Sequence, residues 1–225
     1  MKKKNQVTAY YPVFLNISGR KCVVVGGGQV ALRKVRVLLE HGADVEVISP
    51  DLCPELVQLA ENREIKTLNR AYRPGDLADA TVTIAATDDG ALNRKVAEEA
   101  HRKAVLVNVV DDAENSDFIV PSYLRRGEVT IAVSTSGRSP ALARKIRTRL
   151  EKDVGNEYAS LIRLIGEVRT EVKREGIKID GDRWQEALDL DLLLELLKRG
   201  DEEKAKAILF SDLKEPQKQQ LRQSS

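Results

Sequence analysis

Short apolar runs rich in β-branched residues recur along the first half of the chain. They are KCVVV at 21–25, DVEVISP at 44–50, EIKTL at 64–68, TVTIAAT at 81–87 and AVLVNVV at 104–110. Each reads as a buried strand. Between them the apolar positions change to helical spacing: VALRKVRVLLEH at 30–41, stopped by Gly42, then PELVQLAEN at 54–62 and DGALNRKVAEEAHRK at 89–103. Strands joined by helices of this length need crossover connections, so the pattern predicts a parallel sheet in a doubly wound α/β domain over residues 1–113.

The pattern changes after Asp111. FIVPS (118–122) and EVTIAVST (128–135) have strand character and are joined by the polar turn RRGE, with no helix between them. This predicts a small separate β module within 114–152. Ser139 and Pro140 supply an N-cap and a first-turn proline for a helix over 139–154. From 156 to about 209 the chain is nearly all helix former, with breaks at EGIKIDGD (175–182) and KRGD (198–201), so residues 153–225 read as a helical region. The terminal PQKQQLRQSS is polar and expected to fray.

Composition narrows the function classes. At 225 residues and 42% hydrophobic content the chain can bury a substantial core. No run approaches the roughly 20 apolar residues that span a bilayer, and the basic MKKKNQ is followed by no continuous apolar core, so a cytoplasmic location is expected. Cys22 and Cys53 lie in no CxxC pairing, which argues against a disulfide framework or a zinc site, and no resident metal is expected. With 37 basic against 35 acidic residues, any anion site must be local rather than a property of the whole chain. His41 and His101 fall near helix carboxyl ends, where an imidazole meets the dipole favourably, and are read as structural.

Candidate chemistry begins at Gly26-Gly27-Gly28-Gln29-Val30-Ala31, a G-x-G-x-x-A spacing between the first strand and the first helix. In such a turn the first glycine bends the chain, the second lets backbone approach a phosphate, and a small third residue packs helix on strand. The helix amino terminus then offers N–H groups to a pyrophosphate. The ribose-binding acid expected at the end of the second strand is missing, since Glu46 comes too early and Asp51 falls just past the end. The choice between NAD and NADP therefore stays open on this rule.

Two further strand ends carry polar groups. Thr87 and Asp88 suit either an N-cap for the next helix or a cofactor contact. Asp111, followed by Asp112, suits either a general base beside the nicotinamide or a solvated turn aspartate. A third cluster, Ser134-Thr135-Ser136-Gly137-Arg138-Ser139-Pro140 leading into Arg144, Lys145, Arg147 and Arg149, reads as an anion cradle or as a capping loop with a basic helix face. No aromatic interleaving supports nucleic-acid binding there.

VVVGGGQVALRKVRVLLEHGADVEVISP, TIAATDDGALN, NVVDDAENSDFIVPS and IAVSTSGRSPALARKIRTRLE, in that order, resemble the precorrin-2 dehydrogenase and sirohydrochlorin ferrochelatase family, also met as the amino-terminal half of siroheme synthase. The resemblance covers about residues 9–150. It implies a Rossmann domain, a central dimerisation region and a helical carboxyl-terminal region in a homodimer. It also implies NAD-dependent oxidation of precorrin-2, a tetrapyrrole with eight carboxylates, to sirohydrochlorin, with ferrous iron insertion as a second activity of some members.

Carried over, the resemblance puts the cofactor on Gly26, Gly28, Gln29 and Val30 and on Pro50 and Asp51, while Thr87 and Asp88 remain cofactor candidates from their strand-end position. It puts the catalytic aspartate at Asp111 rather than Asp112. The substrate loop falls on Ser134, Thr135 and Ser139, with Thr135 where serine is common, and Arg138, Arg144 and Lys145 are the candidates for substrate carboxylates. The competing reading is a Rossmann module that senses NAD(H) and regulates a protein or nucleic-acid partner.

Overall fold

The computed structural model describes residues 10–214; the polar tail and the basic amino-terminal stretch lie outside them. The described residues group into two compact units, one up to Val120 and the other built from Pro121–Thr135 and from Ser139 onward.

The first unit is a parallel sheet of β1 (Lys21–Val25), β2 (Asp44–Ile48), β3 (Lys66–Leu68), β4 (Val82–Ala85) and β5 (Leu106–Val109), in spatial order β3-β2-β1-β4-β5. Helices α1 (Gln29–Glu40), α2 (Pro54–Glu61) and α3 (Gly90–Arg102) make the connections. Alternation along β1 explains its unbroken apolar run, because both faces are covered. Cys22 and Val24 pack with Ala31, Leu32, Val35 and Leu38 of α1, while Val23 and Val25 pack with Val96, Ala97 and Ala100 of α3. Burial also pushes the Cys22 thiol up to about 11, with Asp44 adding to it, so this cysteine is an inert core residue. Thr83 on β4 is fully buried, and its hydroxyl has no hydrogen-bond partner among the described residues.

The chain leaving β5 turns back along it. Asp117 exchanges bonds with Val107, Asn108 donates to the Phe118 carbonyl, and Ser116 Oγ accepts from Val109 N–H at 2.9 Å. This return covers the β5 edge and fixes the turn that carries Asp111.

In the second unit, β6 (Ser122–Arg126) and β7 (Val129–Val133) form an antiparallel hairpin closed by Gly127 and Glu128. The first strand of this module thus begins four residues later than FIVPS predicts, sharing only Ser122 with it and running into the expected turn at Arg125 and Arg126. Pro121 has no N–H for a ladder, Phe118 packs against the parallel-sheet core, and Gly127, at φ 58°, takes the bend. The hairpin and the carboxyl-terminal helices share this unit.

Helix α4 (Pro140–Asp153) begins as expected, with Ser139 Oγ accepting from Leu142 N–H. Then α5 (Glu157–Arg174), α6 (Gly181–Ala187), α7 (Leu190–Arg199) and α8 (Glu202–Lys214) enclose a core of Leu161, Leu164, Val168, Leu193, Ala205 and Leu209. Both predicted breaks are present, and a third, at Leu188 and Asp189, interrupts an apolar run that reads as continuous helix. There Asp189 caps α7 by accepting from Leu192 N–H. No helix among the described residues is long and apolar enough to cross a membrane.

Candidate active site at the β1, β4 and β5 strand ends

The parallel register sets the site. Val25, Ile48 and Ala85 lie level, with Val109 beside Ala85, and the ladder continues through Gly26 N–H to Ile48 O, Ala86 N–H to Val25 O and Val110 N–H to Ala85 O. Gly26, Ala86 and Val110 therefore share one level, with Thr87 and Asp111 one residue further out. The strand order reverses direction at β1 and β4, the topological position where a doubly wound sheet opens a crevice.

The three glycines of the turn differ in what constrains them. Gly26 has φ 126°, and a Cβ there would stand 2.3 Å from the Ala86 carbonyl oxygen. At Gly27 a Cβ would stand 1.9 Å from the Asp51 carbonyl oxygen. That carbonyl is held by Ser49 Oγ at 2.7 Å, while Cys53 N–H donates to the Gly27 carbonyl at 2.8 Å, so the first turn and the loop after β2 are locked together. Gly28 is exposed, extended, and has nothing within 4 Å of a Cβ position. It is the N-cap of α1 without a side-chain cap, and the first turn of that helix holds no acid.

An open, uncapped helix start beside a glycine with no packing reason to be one fits a dinucleotide pyrophosphate. Gln29 is exposed, and its amide donates to both Glu55 oxygens, at 3.2 and 3.4 Å; Val30 is half-buried. Pro50 and Asp51 are exposed just past β2, where the adenosine would lie. Sequence reasoning missed Ser49 and Glu55, because a strand-end serine and a helix-start glutamate carry no signal until the two loops meet.

At β4 the capping expectation is corrected. Asp89, not Thr87 or Asp88, caps α3, accepting from Ala91 and Leu92 N–H. Thr87 is tied inward instead: its hydroxyl donates to Asn93 Oδ1 at 2.7 Å and accepts from Asp89 N–H. Asp88 is left exposed.

Asp111 and Asp112 separate cleanly. Asp112 accepts from the Asn115 side-chain amide at 2.6 Å and from the N–H groups of Glu114 and Asn115, which hold its carboxyl below the usual range. Asp111 is exposed, has φ 58°, and its carboxylate makes no hydrogen bond or ion pair among the described residues. The turn is closed beneath it by Asp112 N–H to Val109 O. Lys34, half-buried on α1, is a further group that the sequence did not flag. Burial lowers its pKa, Arg33 adds to this, and the Asp111 carboxylate pulls the other way.

The loop expected to cradle an anion is internally bonded. Thr135 Oγ1 donates to Ser139 O at 3.0 Å and accepts from Ser139 N–H at 3.1 Å, while Ser134 is exposed. The Thr135 hydroxyl is thus committed to shaping the loop. Arg147 is ion-paired with Glu151, whereas Arg144, Lys145 and Arg138 are exposed and have no ion-pair partner among the described residues. His41 caps α1, with Nδ1 2.7 Å from the Val37 carbonyl oxygen, and His101 meets Asp117 at 3.2 Å. Among the described residues no group of three or more His, Cys, Asp or Glu is placed to hold a metal.

Comparison with known proteins agrees with this geometry. An NAD(P)-binding family model matches residues 13–122, and the model for the central region of sirohaem biosynthesis proteins matches 126–152. The siroheme synthase of Chromobacterium violaceum is 42% identical over 200 residues, which are 88% of this chain and 42% of that protein. That of Nitrosospira multiformis is 43% identical over 210 residues, 91% of this chain and 44% of that protein. The chain thus spans less than half the length of these relatives. The solved structure of SirC, a precorrin-2 dehydrogenase, superposes with a TM-score of 0.71 at 25% identity, covering 88% of this chain and 99% of that one. With the nucleotide turn, the strand-end aspartate and these relatives taken together, the chain belongs to the precorrin-2 dehydrogenase and siroheme synthase family.

Proposed function

We propose that this chain oxidises precorrin-2 to sirohydrochlorin with NAD, in the cytoplasm. The observation that carries the reading is the register that sets the glycine turn, Thr87 and an unbonded Asp111 on one edge of the sheet where the strand order reverses. The SirC likeness supports the choice of substrate.

Gly28 gives room for the pyrophosphate on the turn that Gly26 bends, and the N–H groups at Gln29 and Val30 bond it. Pro50 and Asp51 border the adenosine, and Thr87 and Asp88 border the nicotinamide half. Bound NAD supplies the hydride acceptor. Asp111 takes the proton that leaves as the substrate carbon is oxidised. It is exposed, and the backbone bond from Asp112 N–H to Val109 O holds the turn that carries it. Arg138, Arg144 and Lys145, with Ser134 on the loop that Thr135 and Ser139 shape, are assigned to the substrate carboxylates, since charge-assisted bonds to such groups are worth about 1.5–3 kcal/mol each.

We assign residues 114–152 to homodimerisation. On α4, Leu142 and Ile146 are exposed one turn apart. Insertion of ferrous iron into sirohydrochlorin, with iron as substrate, is the second activity assigned to the same aspartate.

Mixing precorrin-2 and NAD with the protein and following NADH absorbance tests the dehydrogenase. NADH should form in step with loss of precorrin-2; binding of NAD without turnover would favour a regulatory module instead. Sirohydrochlorin with ferrous iron, in the absence of NAD, tests the metal insertion separately.

A further inference from the structure

The helices of the second unit carry a cavity that the nucleotide chemistry does not use. It has a volume of about 510 Å³, with Val172, Ile177, Ile179 and Trp184 as apolar wall and Arg169, Lys173 and Lys178 around it. No carboxylate lines it. The Arg169 guanidinium lies 5.2 Å from the Trp184 ring centre.

The cations here differ from those around them. In α5 to α8, Arg163, Arg174, Arg183, Lys198, Arg199, Lys206 and Lys214 each meet a carboxylate. Arg169, Lys173 and Lys178 meet none among the described residues, although Glu171 and Glu175 are close in sequence. Those two acids are engaged elsewhere, Glu171 by Arg174 and Lys206 and Glu175 by Lys214. Among the described residues of α5 to α8 and the loops between them, the cations left without a carboxylate are therefore gathered around one apolar concavity, with Lys204 as the outlier. The volume is that of a small-molecule site, roughly 300–1,000 Å³. A protein partner would need about 800 Å² of matching surface per side, far more than these few side chains present.

We propose that this cavity binds a small amphipathic polyanion: a flat apolar body that stacks on Trp184 and carries two or more carboxylate, sulfonate or phosphate groups toward Arg169, Lys173 and Lys178. The cations supply attraction and orientation, and the apolar wall supplies discrimination against simple anions.

Trp184 is the chain's only tryptophan, so its emission reports the site. The probe is naphthalene-1,5-disulfonate, titrated into the full chain by emission and by calorimetry, with inorganic phosphate and 2-naphthol as the charge-only and body-only comparisons. The disulfonate should bind saturably, at least tenfold more tightly than either comparison. Affinity should fall at least tenfold in the Lys173→Ala/Lys178→Ala variant and stay unchanged in Lys204→Ala, which removes an unpaired lysine that does not line the cavity. Equal binding by the double variant and the wild type would overturn the proposal, as would phosphate or 2-naphthol binding as well as the disulfonate. All these side chains are exposed, and circular dichroism of each variant checks that the fold is intact.

Discussion

The turns after β1 and β5 solve opposite problems. After β1, Gly26 and Gly27 are glycine because any side chain would collide with the Ala86 or Asp51 carbonyl, but Gly28 is glycine with open space in front of it. After β5 the backbone takes a conformation that suits glycine, φ 58°, yet the residue there is Asp111. Packing explains the first two glycines and fails to explain the third; the left-handed backbone is one that aspartate, like asparagine, adopts more readily than most residues, and the carboxylate it carries there makes no hydrogen bond or ion pair among the described residues. Where packing gives no reason for a residue, the proposed ligand chemistry offers one. Gly28 and Asp111 are the two such positions on this edge.

The largest effect should come from Asp111→Asn. Asparagine tolerates the left-handed backbone, so the fold should persist and NADH affinity stay within about twofold, while turnover falls by about 10²–10⁴-fold, the usual worth of a positioned base. Asp111→Gly should lose turnover equally and melt at a higher temperature than wild type. If the asparagine variant turns over normally, the turn is structural and the comparison fails.

Next come the glycines, which should divide by readout. Gly27→Ala should destabilise the protein by about 3 kcal/mol in urea unfolding, because backbone must move to admit the methyl group. Gly28→Ala should leave the unfolding midpoint near wild type and weaken NADH binding at least tenfold, or about 1.4 kcal/mol. The same loss of stability in both would remove the distinction between them.

Glu99 gives a smaller, sharpening contrast, as a carboxylate that is wholly structural. Burial alone would raise its pKa, but bonds from Tyr72 Oη at 2.6 Å, Gly75 N–H at 2.9 Å and Lys103 outweigh burial and hold it low. A depressed carboxyl contributes stability above its unfolded value, and that contribution is lost as pH falls through the folded one. Melting temperature should therefore drop on acidification below about pH 4.5, the ordinary glutamate value, and Glu99→Gln should flatten that drop without changing turnover at neutral pH. The smallest effect is at Thr83: an unpartnered buried hydroxyl costs about 1–3 kcal/mol, so Thr83→Val should raise stability by about 1 kcal/mol.

Much of the parallel domain was legible in the sequence because its periods are unambiguous. A run such as KCVVV, buried on both faces, has no other use in a chain of this length. The hairpin was placed four residues early because FIVPS has strand propensity but spends it elsewhere, Phe118 in the parallel-sheet core and Pro121 as a stop. The break at Asp189 was hidden because an aspartate between leucines looks the same on a helix face and at an N-cap. In the proposed site, the Gly26 to Val30 turn was readable from its spacing, whereas the strand-end position of Asp111 left a base or a turn aspartate open and only the family resemblance chose between them. Glu55, Ser49 and Lys34 were not readable, since each matters only through a group brought near by the sheet.

The sequence by itself determined the order of strands and helices, the glycine turn at the head of α1 and the family likeness, because periodicity and spacing are local properties of the chain. Only the tertiary structure decided which glycine is free of packing, which of two adjacent aspartates is unbonded, and which cations of the helical unit lack a carboxylate. Those are questions of what lies across a gap, and the chain answers them only when distant segments come within hydrogen-bond reach.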